Sequence, residues 1–310
     1  MCSSDLDVAI PQKYEGMEET NPDDLVAMIQ DAIPQQHRDF AEKLLSDAGV
    51  PAWPEGDDEV TLSFSEIQAQ VLVDEALTRP KCRMIVNALG TPPADIVTQV
   101  HESGRLIGAL AGRLKHGINH KEAGLDFVVC QGSEGGGHAG EVTSMVLWPQ
   151  MVDAVAPLPV LAAGGIGNGR QILAAMSLGV EGVWMGSMWL NSTEAHAEPA
   201  QRESYMKASS EDTVRSRSFT GKTARMFRNE IVEAWTEGEL DPLPMPFQKI
   251  LMDDFNAAAR AAGQLEVHSN PAGQAAGLLN EVRPAADIMR DLVTGAVEAL
   301  ESVQGRVTVS

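Results

Sequence analysis

Cysteine, basic residues, aromatic residues and long apolar runs are all scarce in this chain. Its three cysteines, Cys2, Cys82 and Cys130, are too widely spaced for a disulfide framework or a zinc-binding pattern, so we expect a reducing, cytoplasmic setting. No uninterrupted apolar stretch is long enough to span a bilayer, and the N-terminus shows no basic segment followed by an apolar one. We therefore expect neither a membrane-spanning protein nor a secretory signal.

The shortage of positive charge narrows the choice of partners. Acidic residues outnumber basic ones 44 to 23, which gives a formal net charge of -21. Such a surface repels phosphate backbones and anionic headgroups, so we expect no nucleic-acid or membrane partner, and a homodimer is left open. With 310 residues, 44% of them hydrophobic, the chain is long enough for one large α/β domain or two smaller ones.

Glycine, by contrast, is concentrated where a predicted strand ends. Residues 127–130 are typical of a short buried strand, and the run from Gln131 to His138 follows it with three consecutive glycines at 135–137. Glycine lets a ligand approach the backbone closely, and histidine titrates nearest to neutral pH. The pattern predicts a catalytic loop with His138 as its reactive group; a hydrogen-bonded histidine at a strand end is the structural alternative.

A second glycine-rich pattern lies downstream. Residues 159–163 are typical of a buried strand, Asn168 of a helix cap, and residues 182–184 of the next strand. This βαβ unit implies parallel strands, and (β/α)8 barrels often bind a phosphate between the loops that follow their last two strands. The backbone N–H groups expected to bind it are those of Gly164, Gly165, Gly186 and Ser187. Met185 is either a core residue or a further N–H donor to the same group.

Strand patterns recur along the chain near residues 8, 85, 108, 128, 161 and 184, whereas a closed barrel needs eight strands. Residues 191–271 are more polar and contain a proline-rich break, which indicates an inserted helical or α+β lid domain. We therefore predict an α/β fold of the TIM (β/α)8 type, in which either two strands are not recognised or the barrel is N-terminally incomplete. Its barrel core is expected to comprise residues 1–190 plus 272–310.

Three segments, in this order and spacing, resemble nitronate monooxygenases, formerly called 2-nitropropane dioxygenases. These are residues 131–138, 159–166 and 185–187, and residues 220–225 and 272–274 are also similar to that family. The resemblance implies an FMN-dependent barrel enzyme with a smaller second domain. Its implied reaction is the oxidation of an alkyl nitronate by dioxygen, without a nicotinamide.

The resemblance also implies roles for individual residues. His138 matches the family's histidine, which serves as a base or as an electrostatic partner of the nitronate. The glycine-rich loops at Gly164–Gly165 and Gly186–Ser187 would hold the FMN phosphate, with the Met185 N–H contributing.

Other residues keep two interpretations. Gly136 and Gly137 are expected to contact the flavin, with a tight turn as the alternative. Gln131 either meets the edge of the flavin ring or satisfies its own loop. Lys222 and Arg225 either line the pocket entrance or lie on a solvated face.

No metal site is predicted. His116 and His120 lie one helical turn apart, which superficially suggests a metal pair, but no third ligand is near them in sequence. Both are therefore expected to be surface residues.

The chain departs from the family pattern at its start, and this departure keeps other functions open. The Ala-Pro-Met strand and the glycine-rich second strand of the family are not found, so we hypothesise that the sequence is truncated. An FMN- and NADH-dependent enoyl-thioester reductase shares the Glu-x-Gly-Gly-His loop and is the first alternative. Ser187-Met188-Trp189 stands where both families commonly have Thr-Arg-Phe, so this segment does not distinguish the reductase from the monooxygenase. A non-catalytic remnant that holds no flavin, or a phosphosugar-binding barrel, are further alternatives.

Overall fold

The computed structural model describes residues 5–8, 22–51, 66–197, 199–264 and 266–306. Its strands are β1 (Asp5–Val8), β2 (Met84–Asn87), β3 (Leu106–Ala111), β4 (Phe127–Gln131), β5 (Gly137–His138), β6 (Val160–Ala163), β7 (Gly182–Trp184), β8 (Thr213–Ser216) and β9 (Ala224–Phe227). Its α-helices are α1 (Pro22–Asp31), α2 (Gln35–Asp47), α3 (Glu66–Thr78), α4 (Ala94–Glu102), α5 (Leu114–Glu122), α6 (Ser144–Val155), α7 (Gly169–Ser177), α8 (Pro199–Lys207), α9 (Glu230–Glu237), α10 (Phe247–Ala261) and α11 (Ala285–Gln304).

A six-stranded parallel sheet carries the barrel-like part of the fold. The strand order is β1-β2-β3-β4-β6-β7, and all six strands lie where the sequence pattern predicts them. The predicted first strand ran on to residue 11, and residues 9–11 lie outside the described residues. Ile85, Val128 and Val129 are fully buried, as expected where both faces of a parallel sheet are covered. The sheet curls into a half-barrel, which confirms the predicted α/β barrel-type fold.

Helix α7 begins where the sequence predicts it. The Asn168 Oδ1 accepts from the backbone N–H of Gln171 at 3.1 Å, and the Gln171 Oε1 accepts from the N–H of Asn168 at 3.1 Å. This reciprocal capping box satisfies two N–H groups that a helix start leaves without partners. Gln171 Nε2 also donates to the Gly165 carbonyl at 2.7 Å, so the cap fixes the loop between β6 and α7.

A second, antiparallel sheet has the order β5-β9-β8. Gly137 pairs with Arg225, and His138 pairs with Ala224. The sequence predicts residues 131–138 as one loop, whereas the structure places the last two residues in a strand. A two-residue strand has no periodicity from which it can be recognised, because its partner supplies the pairing.

Helices from two distant parts of the chain share one hydrophobic cluster beside this small sheet. The cluster joins Val26, Ile29 and Leu44 of α1 and α2 to Met252 and Phe255 of α10. In this cluster the N-terminal helices pack against elements of the 191–271 region. The predicted domain boundaries stay a prediction. Among the described helices, none combines the length and the apolar character needed to cross a bilayer.

Candidate functional site

The glycine-rich loops meet at the carboxyl ends of three neighbouring strands. β6 pairs with β4 on one side and with β7 on the other, so the loops that follow these strands are adjacent. The N–H of Gly132 donates to the Ala163 carbonyl at 3.0 Å. A Cβ on Gly164 would lie 3.0 Å from the Gly132 carbonyl oxygen, so the two loops touch through their backbones.

Backbone N–H groups at the ends of β6 and β7 form a cradle. Gly164 has φ +98° and Gly165 φ +74°, a left-handed conformation that glycine adopts readily. The N–H groups of Gly164, Gly165 and Gly186 make no hydrogen bond to another described residue, and a Cβ on Gly186 would meet no atom within 4 Å. Unengaged amides beside open space suit an anionic group such as a phosphate.

Residues 272–274 brace this cradle against the loop that follows β4. The N–H of Gly273 donates to Ser187 Oγ at 2.8 Å, and the N–H of Gln274 donates to the Glu134 carbonyl at 2.9 Å. Gly273 is so close to its neighbours that a Cβ would lie 2.6 Å from the Glu134 carbonyl oxygen. The sequence gives residues 272–274 no role in the site. Gly273 is the feature of the sequence from which a role could have been inferred, but the residues that it contacts lie far away in the chain.

Glu134, which the sequence leaves unassigned, caps helix α6. Its Oε2 accepts from the backbone N–H of Ser144 at 2.9 Å and lies 2.9 Å from Ser144 Oγ. The same hydroxyl lies 3.0 Å from the Gly164 carbonyl oxygen. A carboxylate at a helix N-terminus is favourable because the helix dipole is positive there. Glu134 thereby connects the loop after β4, the start of α6 and the cradle.

Gln131 and the glycines after it shape the same loop. Gln131 Nε2 donates to the Gly136 carbonyl at 3.1 Å, which is the contact expected if the amide satisfies its own loop. Its role toward a flavin stays a prediction. Gly136 packs against residues 272–273, whereas a Cβ on Gly137 would meet no atom within 4 Å.

His138 lies in β5, two residues beyond Gly136. Its Nε2 is 2.9 Å from Thr220 Oγ1 in the loop between β8 and β9. Burial, together with the nearby positive charges of Lys222 and Lys249, lowers the pKa of His138 from 6.5 to about 4. The imidazole is therefore neutral near pH 7 and has a lone pair available to accept a proton.

Arg225 lies in β9, beside β5, and is 8% exposed. The solvated-face interpretation is therefore wrong for Arg225, although Lys222 is exposed. The Arg225 Nε donates to the Ser133 carbonyl at 2.9 Å, which ties the small sheet to the loop that follows β4. Burial lowers the pKa of Arg225, and the charge of Arg215, opposite it in β8, acts in the same direction.

The expectation that both histidines of α5 lie at the surface is wrong for His120. His116 is exposed, but His120 is fully buried. The His120 Nε2 is 3.1 Å from the Leu110 carbonyl oxygen, and its Nδ1 is 2.8 Å from Thr91 Oγ1. His120 is thus a hydrogen-bonded core histidine on the face of α5 that packs against β3. In the part of the chain that the structure describes, no group of three or more His, Cys, Asp or Glu residues is placed to hold a metal ion.

The architecture is shared with a class of barrel oxidoreductases. The crystal structure of nitroalkane oxidase from Streptomyces ansochromogenes superposes with a TM-score of 0.77 over 96% of this chain and 82% of that chain. The two sequences are 22% identical, so this likeness concerns the fold.

The family is defined by sequence. A model of the nitronate monooxygenase family matches residues 41–295, and the chain therefore belongs to that family. The Mycobacterium tuberculosis protein named "Putative monooxygenase Rv1533" is 43% identical over 312 residues, which cover 97% of this chain and 82% of that protein. A "Probable nitronate monooxygenase" from Staphylococcus aureus is 35% identical over 215 residues, covering 66% of this chain and 60% of that protein.

Proposed function

We propose that this chain catalyses the FMN-dependent oxidation of an alkyl nitronate by dioxygen. One observation carries the proposal: a cradle of unengaged amides touches the loop that leads into the strand of a neutral histidine. The cradle at Gly164, Gly165 and Gly186 contacts the loop after β4, and that loop leads within a few residues to His138. Membership of the nitronate monooxygenase family supports the same reaction.

The residues present fit the phosphate end of FMN. The N–H groups of Gly164, Gly165, Gly186 and Ser187 would hold the phosphate, with Met185 as a further donor, because a Cβ-free surface and free amide hydrogens suit a doubly charged anion. Gly136 and Gly137 would lie along the flavin. When bound, FMN supplies the electron acceptor that takes electrons from the nitronate and passes them to dioxygen.

His138 is assigned to the substrate. The nitronate has already lost its acidic proton, so the proton that a neutral imidazole can accept is that of the parent nitroalkane, the carbon acid from which the nitronate forms. The imidazole carries no fixed positive charge near pH 7. The lowered pKa therefore favours the role of a base over that of a permanent cation. Lys222, which is exposed and close enough to affect this pKa, would favour the approach of an anionic nitronate.

Anaerobic reduction of the FMN-loaded chain tests the proposal. We expect an alkyl nitronate to bleach the flavin absorbance and dioxygen to restore it, while NADH has little effect. Rapid bleaching by NADH would instead support the enoyl-thioester reductase. Failure of the folded chain to retain any FMN would support a non-catalytic remnant.

A further inference from the structure

We propose that Thr220 is a positioning residue for His138: its hydroxyl holds the imidazole as the Nε2–H tautomer and leaves Nδ1 as the proton-accepting atom. The inference rests on the proposed function, because it assigns a role in the same site. The two imidazole nitrogens are not equivalent, and the partner of one determines what the other can do.

The hydrogen bonds of the Thr220 hydroxyl determine the tautomer. Thr220 Oγ1 donates to the Lys222 carbonyl at 2.9 Å and accepts from the Lys222 N–H at 3.3 Å. A hydroxyl has one proton, and a carbonyl oxygen can only accept. Once that proton points to the Lys222 carbonyl, the contact of 2.9 Å to His138 Nε2 requires the imidazole to donate. Both contacts are satisfied together only when Nε2 carries the proton.

The turn that carries Thr220 is held at both ends. The N–H of Gly221 donates to the Arg217 carbonyl at 2.8 Å, and the Arg217 Nε donates to the Gly221 carbonyl at 3.0 Å. Gly221 has φ +74° and lies directly against the backbone of residues 243–245, where a side chain would not fit. The hydroxyl therefore has a fixed position.

A buried glutamine fixes the turn further. Gln248 of α10 is fully buried; its Nε2 donates to the Ser218 carbonyl at 2.6 Å and its Oε1 accepts from the Leu243 N–H at 2.9 Å. It connects the turn to the segment against which Gly221 packs. A helix side chain that bridges both pieces limits the movement of the turn relative to residues 243–245.

The other imidazole nitrogen, Nδ1, is available to accept a proton. Within the described residues, His138 Nδ1 has no hydrogen-bond partner, and it is not sealed from solvent. Since the proton of the neutral ring is on Nε2, the lone pair is on Nδ1. A ring with the opposite tautomer would direct an N–H toward the solvent-accessible side and could not accept a proton there.

The test measures the tautomer directly in the full chain. Nitrogen-15 NMR of histidine-labelled protein, with and without FMN, distinguishes protonated from unprotonated ring nitrogens, and a His138→Asn variant assigns the signal. We expect Nε2–H in the wild-type chain, a mixture of tautomers in Thr220→Val, and restoration in Thr220→Ser, which keeps the hydroxyl. In turnover of the parent nitroalkane, whose carbon must lose a proton, we expect Thr220→Val to lower kcat by roughly 10–100-fold, in line with the loss seen when the outer partner of a metal-bound histidine is removed, and Thr220→Ser to recover most of it.

A matched control is Thr236→Val. Thr236 Oγ1 donates to the Val232 carbonyl at 2.6 Å within its own helix. This variant therefore removes a hydroxyl that bonds neither to His138 nor to the turn that carries Thr220. It should change neither the tautomer nor kcat. A wild-type chain with the proton on Nδ1, or a His138 tautomer that is identical in Thr220→Val, would overturn the inference. Both of these outcomes are measured by NMR and do not depend on turnover. Absence of nitronate oxidation alone would therefore count against the proposed function and not against the role of Thr220.

Discussion

Gly165 is the residue at which the proposed phosphate site is most sensitive to charge. Its φ is +74°, and among the described residues the atoms near a Cβ at this position belong to the Glu134 side chain, at 3.2 and 3.5 Å. A carboxylate here would add a second negative charge beside that of Glu134, at the place where an anion is expected to bind.

Gly165→Asp is therefore expected to abolish FMN binding in practice. Two unit charges about 4 Å apart repel by about 4 kcal/mol at an effective dielectric constant of about 20, which corresponds to roughly a 1000-fold loss of affinity. Quenching of FMN fluorescence on titration with the protein measures the dissociation constant. Gly104→Asp is a matched control, because Gly104 has nearly the same φ, +73°, and faces open space in a turn after α4. Unchanged FMN affinity in Gly165→Asp would show that the phosphate is bound elsewhere.

His138→Ala separates chemistry from cofactor binding. We expect the variant to keep its FMN and to lose turnover of the parent nitroalkane, which must give up a proton, by roughly 10²–10⁴-fold, the usual contribution of a positioned acid or base. Steady-state oxygen consumption measures turnover, and the flavin spectrum measures occupancy. The exposed His196 provides the control variant His196→Ala, which should behave like the wild type. Loss of FMN together with turnover would make His138 a structural residue.

At the scale of elements, the sequence predicts what is encoded locally. Short apolar runs locate the six parallel strands, five of which are followed by a glycine, and Asn168 locates the start of α7. Strand β5 and the bracing contact of Gly273 are not predictable in this way, because each joins residues more than 80 positions apart in the chain. Burial of His120 was missed for a related reason: a helix of nine residues with a weak apolar stripe does not reveal which face packs against the sheet.

The bracing segment can be tested by adding a single methyl group. Gly273→Ala would place a Cβ 2.6 Å from the Glu134 carbonyl oxygen and 2.9 Å from the Gly136 nitrogen, both backbone atoms that cannot move independently. We expect a loss of about 1–3 kcal/mol in the free energy of unfolding, the usual cost of overpacking, together with weaker FMN binding. Urea denaturation and FMN titration measure the two effects.

Gly295→Ala is the control for this change. The nearest atoms to a Cβ at Gly295 belong to Gly169, at 3.6 Å, and the residue lies inside α11, where alanine is the better helix former. The control should be neutral or slightly stabilising. Equal stability of Gly273→Ala and the wild type would mean that residues 272–274 do not brace the loop.

The whole molecule should become less stable on mild acidification. Burial and two nearby lysine charges lower the pKa of His138 from 6.5 to about 4, and burial also lowers the pKa values of His120 and His268. Between pH 6.5 and about 4 the unfolded chain therefore binds protons that the folded chain does not. Stability that is complete above pH 6.5 is lost as the pH falls through this window.

The contribution of one histidine can be isolated from those of the carboxylates. Urea unfolding of the wild type and of His138→Asn between pH 7.5 and 4.5 should give two curves, with the wild type falling more steeply below about pH 6.5 because only it takes up this proton on unfolding. Parallel curves would mean that His138 titrates normally in the folded chain. Buffers of constant ionic strength are needed, since a net charge of -21 at pH 7 makes the electrostatic self-repulsion of the molecule sensitive to salt.

The short connection between β4 and β5 has a consequence for how this protein can vary. Residues 132–136 join a strand of the parallel sheet to a strand of the antiparallel one, and successive residues of a strand point to opposite sides. A slip of one residue in the pairing of β5 with β9 would turn the imidazole to the side on which Arg225 lies. A change in the length of the connection should therefore be tolerated only where it leaves this register unchanged.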